Sequence, residues 1–301
     1  MEKEYYTNRP GISQECIKKA EYYFEDGLRK VRPYYNVQDF TCRMPKKGMT
    51  FQCHIEQSTS GVEKRRQFCL DFISDWYINH RPAKKDTVLE HRDVISSVMH
   101  RHESPISDEK VEIIFEDDDT LVVNKPSTMP ISPISTYRYN TLLFILTKEH
   151  GYKDVRNVNR IDKDTSGICI LAKGHEGASK LNHEFAKERV LKEYLALVDG
   201  EFPDKEITVD LPLPTNHLLN RVGNRAEKKP VEAVTDFRKL EYYPDLNVTL
   251  VSCFPKTGRT HQIRKHLLSL GYPVVNDAYF NQRDLQRGLL YKNLKEEAIE
   301  M

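Results

Sequence analysis

Long apolar runs are missing from this 301-residue chain. No stretch approaches the roughly 18 consecutive apolar residues that a membrane-spanning helix needs, so no membrane partner is expected. The start, Met1-Glu2-Lys3-Glu4-Tyr5-Tyr6, is acidic and polar and shows no apolar leader of the secretory type. Charge of one sign is also lacking: 46 Lys and Arg stand against 45 Asp and Glu, a net charge of +1. That balance argues against a strongly basic nucleic-acid-binding protein. Cysteine is sparse, with six residues and no Cys-x-x-Cys pair, which removes the spacing of zinc ribbons and disulfide scaffolds. Reduced thiols in a cytoplasmic protein are the expectation. Glycine is too scarce, at 13 residues, for a collagen-like or low-complexity chain. The remaining composition, 39% hydrophobic and 30% charged, suits a globular protein with one large domain or two smaller ones.

Residues 1 to about 103 carry the weaker signals. Ile17, Ala20, Phe24 and Leu28 fall on one stripe, which predicts a helix from Cys16 to Val31. Lys46 to Lys64, with its Gly, Ser, Thr and Gln, reads as a loop or weak strands. Phe68, Phe72 and Trp76 predict a second helix over Gln67 to Tyr77. From Glu112 onward the patterns sharpen. Ile113 to Phe115 and Leu121 to Val123 predict two strands around an acidic, solvated turn. Pro126 ends the second, because proline cannot donate to a ladder. Thr141 to His150 predicts a helix with Leu142, Ile145 and Leu146 inward. Ile168 to Ala172 predicts a buried strand, followed by a helix with Ala178, Leu181 and Phe185 on its apolar face. Val190 to Val198 and Thr249 to Phe254 read as strands, and Thr260 to Leu270 as a helix capped by Thr260. Helices and strands are mixed without βαβ alternation. The expected class is therefore α+β, a mixed and largely antiparallel sheet with flanking helices.

Two polar clusters lie between these apolar elements. In the first, Asn159 to Gly167, an extended Arg160-Ile161-Asp162 puts the cation and the carboxylate on one side with Ile161 behind. A surface turn rich in Asp, Thr and Ser is the plain alternative. In the second, Lys256 to His266, a helix start carrying Arg259, His261 and Gln262 offers backbone N–H groups and cations to a phosphate or carboxylate. A basic helix face in water is the alternative there. His261 and His266 are five apart, which misses the four-residue spacing of a helical metal pair, so no metal is expected.

Together the segments carry a resemblance. Val158 to Gly167 resembles the His-Arg-Leu-Asp-x-x-Thr-Ser-Gly motif of the RluA-type pseudouridine synthases. Glu116 to Pro133, with its Asn124-Lys125-Pro126, is similar to that family's leading segment. Lys192 to Gly200 resembles its Lys-x-Tyr-x-Ala-x-Val-x-Gly strand, and Thr257 to Leu270 with Asn276-Asp277 its Thr-Gly-Arg-Thr-His-Gln-Ile-Arg segment. Arg101 to Pro105 is similar to the lead-in of the eukaryotic, RPUSD-like and tRNA-modifying branch. The four motifs stand in the family's order over about residues 104–280. The expected layout is an N-terminal extension over 1–103, S4-like in degenerate form, and a synthase domain over 104–301.

The resemblance implies isomerisation of a uridine to pseudouridine in RNA, tRNA before rRNA or mRNA, by a monomer without a cofactor. Asp162 takes the place of the aspartate that starts the reaction. Arg264 matches the arginine that pairs with it, since a carboxylate working around a flipped base loses hydration that a cation must offset. Tyr194 matches the tyrosine that packs on the base and helps remove its C5 proton. Arg160 matches the residue that fills the space of the flipped nucleotide, and Asn159, Lys125, Arg259, His261 and Gln262 join it as substrate-binding residues. Two positions depart from the pattern: the family's histidine before the arginine is Asn159, and the histidine of the first loop is Ser132. After Tyr279 the chain turns polar without the family's closing strand, so a truncated or divergent C-terminal edge is expected. These departures keep a catalytically impaired RNA-binding protein as a second reading. A glycosidase using Asp162 and Asp164 is a third.

Overall fold

The computed structural model describes residues 20–43, 45–58, 76–134, 136–187, 190–214 and 229–281. The chain divides into two compact units, 1–183 and 184–301. The expected boundary near residue 103 falls inside the first. No helix among the described residues is long and apolar enough to cross a membrane.

Among the described residues, unit 1 opens with a hairpin, not a helix. Strands β1 (Tyr22–Glu25) and β2 (Leu28–Val31) pair antiparallel across a two-residue loop, Asp26-Gly27. Both loop residues have positive φ, 53° and 71°, the backbone of a tight hairpin turn that Asp-Gly favours. The turn overrides the helical spacing of Ala20, Phe24 and Leu28, and Cys16 and Ile17 lie outside the described residues. Strand β3 (Tyr34–Thr41) follows. Helix α1 (Phe51–Ser58) replaces the expected loop. Thr50 Oγ1 accepts the Cys53 amide at its start, and Phe51 and Ile55, one turn apart, are buried beneath it.

Strands β4 (Trp76–Ile78), β5 (Arg81–Pro82) and β6 (Val94–Arg101) join β3 in a sheet of order β3-β6-β4-β5. Trp76 therefore starts a strand where a helix was expected; Phe68 and Phe72 lie outside the described residues. Strand β7 (Ile106–Ser107) adds to the first hairpin.

The second half of unit 1 follows its sequence pattern closely. Strands β8 (Glu112–Glu116) and β9 (Thr120–Lys125) pair around the acidic turn, where Asp117 Oδ1 accepts the amides of Asp119 and Thr120. Helix α2 (Leu142–Glu149) buries Leu142, Ile145 and Leu146. Strands β10 (Val155–Asn157) and β11 (Gly167–Lys173) complete a sheet of order β10-β11-β9-β8. On β11, Cys169 and Leu171 are buried, while Ile168 is 63% exposed. One face of this antiparallel sheet thus meets the core and the other does not. Leu121, Val123, Cys169 and Leu171 meet the α2 side chains in one cluster, which Ile161 also joins. Burial of side chains this size contributes about 1.5–3 kcal/mol each. Helix α3 (Gly174–Ala186) closes on the acidic turn. A Cβ on its Gly177 would sit 2.5 Å from the Asp119 carbonyl oxygen.

Among the described residues, the strands of unit 2 form a four-stranded antiparallel sheet that carries a helix. Strands β12 (Tyr194–Asp199), β13 (Ile207–Asp210), β14 (Val234–Tyr243) and β15 (Val248–Pro255) take the order β12-β15-β14-β13. Helix α4 (Gln262–Ser269) packs Ile263 and Leu267 against Val198, Phe237 and Val251. Every strand pairing among the described residues is antiparallel. The class is α+β, as the mixed patterning implies.

Candidate active site

In unit 1, Asp162 sits in the turn between β10 and β11. Its carbonyl accepts the Thr165 amide at 3.2 Å, closing the turn. Ile161 packs against the core cluster while Arg160 is exposed and Asp162 half-buried. The alternation puts the cation and the carboxylate on the solvent side of an anchored isoleucine.

Three side chains hold this turn, two of them from outside it. Lys125 is fully buried at the end of β9, and its ammonium donates to the carbonyls of Pro126 and Met129 at 2.8 Å and of Lys163 at 3.1 Å. Ser127 Oγ donates to the Asp164 carbonyl at 2.7 Å. Asn159 Oδ1 accepts the Ile170 amide at 3.0 Å, tying the segment before Arg160 to β11. Burial in this apolar setting lowers the Lys125 pKa to about 8, because desolvation disfavours the ammonium. The Asp164 carboxylate pairs with Lys163 at 2.9 Å, and its side chain is 62% exposed.

In unit 2, Tyr194 begins β12 opposite Cys253, and its ring packs with Ala196 and Val198 on the sheet face that meets the core. The loop from Lys256 to His261 leads into α4. His261, not Thr260, is the N-cap residue, and it holds a left-handed backbone with φ of 54°. Gln262 explains the loop's shape. It is 4% exposed; its Oε1 accepts from Thr257 Oγ1 and the Arg259 amide, and its Nε2 donates to the Val234 carbonyl and Thr235 Oγ1. Arg259 Nε donates to the Glu232 carbonyl. A cleft of about 350 Å³ runs beside the loop, lined by Lys192, Lys256, Gly258 and Arg259 with Phe185 and Val190. His266 is buried, between Thr235 Oγ1 and the Leu211 carbonyl, and desolvation lowers its pKa.

Arg264 projects from the first turn of α4 and makes a two-pronged pair with Asp277, Nε to Oδ2 at 2.7 Å and Nη2 to Oδ1 at 2.8 Å. Its guanidinium carbon lies 4.8 Å from the centre of the Phe280 ring. Burial pushes the Asp277 carboxyl up, but Arg264 and the amides of Tyr279 and Phe280 outweigh it, and the group lies below its ordinary range.

Lys125 and Gln262 have their polar groups engaged inside the fold, since a buried donor or acceptor must be paired; they shape loops. The Asn159 oxygen serves β11 in the same way. Arg160, Arg259 and His261 remain on loop surfaces. Arg221, Arg225 and Lys228, basic residues close together in the sequence, lie outside the described residues. Asp277 is a polar partner of Arg264 that residue spacing did not assign.

Comparison with known proteins gives the geometry a context. The family of RNA pseudouridylate synthases matches residues 119–269, half of the chain. Pseudouridylate synthase RPUSD2 of Homo sapiens is 36% identical over 282 residues, covering 91% of this chain and 50% of that protein. In Saccharomyces cerevisiae, the mitochondrial tRNA pseudouridine(32) synthase is 36% identical over 86% of this chain and 56% of its own length. The tRNA pseudouridine(31) synthase of the same yeast is 30% identical, covering 88% of this chain and 74% of that protein. The chain spans about half the length of the first two of these relatives.

Proposed function

The chain belongs to the RNA pseudouridylate synthase family, and from that membership we propose that it isomerises a specific uridine of an RNA to pseudouridine. The observation that carries this reading is that the matched stretch, 119–269, contains both the anchored Asp162 turn and the Tyr194 and Arg264 positions. Two relatives are named as tRNA pseudouridine synthases, and tRNA is the substrate class we favour.

The reaction breaks the bond between uracil N1 and the ribose C1′, turns the base, and forms a bond from C5 to C1′. The C5 proton leaves and N1 regains one, so the product is an isomer of the substrate. Asp162 starts the reaction, on a turn held by Lys125, Ser127 and the Ile161 anchor. A group held this way keeps its geometry between turnovers, which is where a rate advantage arises. Arg264 supplies the cation that keeps a reacting carboxylate ionised when water is excluded. Tyr194 offers a flat face to the base and a phenol oxygen to the C5 proton. Arg160, exposed beside Asp162, takes the place of the flipped nucleotide. Lys192, Lys256 and Arg259 line a cleft suited to RNA phosphates, with His261 at its loop.

Asn159 and Ser132 favour one competing reading, an RNA-binding protein that has lost turnover. Both side chains are engaged by neighbours in the loops, Asn159 with β11 and Ser132 Oγ with Asn157 at 3.4 Å. Site-resolved mapping of pseudouridine in cellular RNA separates the two. Removing the protein erases one or more sites, wild type restores them, and Asp162→Asn does not. If no site responds to the wild-type protein, the synthase reading fails and the binding reading takes its place.

A further inference from the structure

Asp277 lies in the Asn276-Asp277 pair of the resemblance, which carries no role over to it, yet it is the most firmly held carboxylate among the described residues of unit 2. Its side chain is 3% exposed. Oδ1 accepts the amides of Tyr279 at 3.0 Å and Phe280 at 3.2 Å as well as Arg264 Nη2 at 2.8 Å, while Oδ2 takes Arg264 Nε at 2.7 Å. The turn that bears it is fastened to the sheet. The Asn281 amide donates to the Asp277 carbonyl at 2.9 Å, and Asn281 Nδ2 reaches Asp199 Oδ2 at 2.7 Å and the Val274 carbonyl at 3.2 Å. The Val275 amide donates to the Leu197 carbonyl at 2.8 Å. Asp199 and Leu197 belong to β12, the strand that begins with Tyr194.

A guanidinium is planar and has two donor edges, Nε with Nη2 and Nη1 with Nη2. Holding the first edge in two bonds fixes the plane and so the direction of the second. Phe280 adds a wall: its ring centre lies 4.8 Å from the Arg264 guanidinium carbon, and the ring packs edge-to-face with His261 at 5.7 Å. An arginine without such a mount samples many rotamers and must be ordered in each cycle. We propose that Asp277 is a positioning residue for the reaction, fixing the Arg264 guanidinium in its working orientation and tying it through the 274–281 turn to the strand of Tyr194. Phe280 completes the mount. The inference rests on the synthase reading and on the role proposed for Arg264.

The test is steady-state kinetics of pseudouridine formation on the RNA that wild type modifies, with Asp277→Asn, Asp277→Glu, Arg264→Gln and the Asp277→Asn/Arg264→Gln double variant. Asparagine keeps the size and one acceptor oxygen but loses the charge and the two-pronged pair. We expect Asp277→Asn to lower kcat about 10- to 100-fold with KM for RNA changed less than about 3-fold. Asp277→Glu recovers part of the loss. In the Arg264→Gln background the same substitution costs less than about 3-fold, because the group it positions is gone. An active wild type with an unchanged kcat in Asp277→Asn overturns the inference. An equal loss in both backgrounds overturns it too, since Asp277 would then act through something other than Arg264. If Asp277→Asn does not fold, as judged by thermal unfolding, Phe280→Leu takes its place, with the same kcat pattern and non-additivity at smaller amplitude; full additivity there counts against the mount. A wild type that forms no pseudouridine on any RNA defeats the synthase reading itself.

Discussion

Replacing Lys125 with methionine isolates what a buried ammonium does beneath the Asp162 turn. The side chain is fully buried and donates to three carbonyls, of Pro126, Met129 and Lys163. Methionine fills the space but strands those oxygens. Each such loss costs about 1–3 kcal/mol before water relieves some of it, so Lys125→Met is expected to be less stable by about 2–4 kcal/mol at pH 7. The pH dependence is the sharper signature. In the folded protein Lys125 gives up its proton near 8, because burial disfavours the charge; in the unfolded chain it does so near 10.5. Below pH 8 both states hold the proton and the burial cost is fully present. Between about pH 8 and 10.5 the unfolded chain binds the extra proton, so the stability of wild type relative to the variant rises with pH. The full rise is about 3 kcal/mol. Tyrosine ionisation opposes stability above pH 10, but equally in both proteins, and cancels in the difference. Urea unfolding from pH 7 to 10 measures it, followed by fluorescence of Trp76, the one tryptophan, which lies in the same unit as Lys125. Parallel stability curves for the two proteins would refute the reasoning.

Three further outcomes are expected. Glu103→Gln replaces a buried carboxylate that accepts the Tyr34 hydroxyl at 2.6 Å and the amides of Arg138, Tyr139 and Asn140 at 2.9 to 3.0 Å. The amide side chain presents one acceptor where two served, and chemical denaturation should show a loss of about 2–3 kcal/mol. Gly177→Ala places a methyl 2.5 Å from the Asp119 carbonyl oxygen, and thermal unfolding should register an overpacking cost of about 1–3 kcal/mol, against the gain alanine usually brings inside a helix. Lys256→Ala with Arg259→Ala should weaken RNA binding and flatten the slope of log affinity against log salt by about 1–2, as expected for two lost phosphate contacts; an unchanged slope removes the cleft from the RNA path.

Much of the fold was legible where one periodicity dominated. The β8–β9 hairpin, α2, β12 and β15 lie where alternating or helical patterns place them. The N-terminal hairpin was not, because two signals competed and Asp26-Gly27 set the backbone more strongly than the spacing of Phe24 and Leu28. Helix α1 was hidden by polar composition, although Thr50, Phe51 and Ile55 supplied a cap and a buried stripe. The site shows the same division. Motif order locates the Asp162 turn and the start of α4, but a motif does not say whether a polar side chain points outward or inward. Lys125 and Gln262 turn inward and organise backbone. The partner of Arg264 within unit 2 was unreadable, because Asp277 meets it through the packing of the 274–281 turn and not through any helical or strand spacing. The near-zero net charge is likewise a poor guide, since an RNA read by shape and one flipped base needs a local basic cleft, not a basic protein.

The central claim, that this chain forms pseudouridine through Asp162, is tested most directly with RNA carrying tritium at C5 of uridine. Forming the C5–C1′ bond expels that hydrogen, so wild-type protein should release tritium to water in proportion to modified sites. Asp162→Asn should release at least about 10³-fold less while binding the same RNA within about 3-fold. Tritium release by Asp162→Asn at the wild-type rate, or none from wild type with any cellular RNA, would contradict the account.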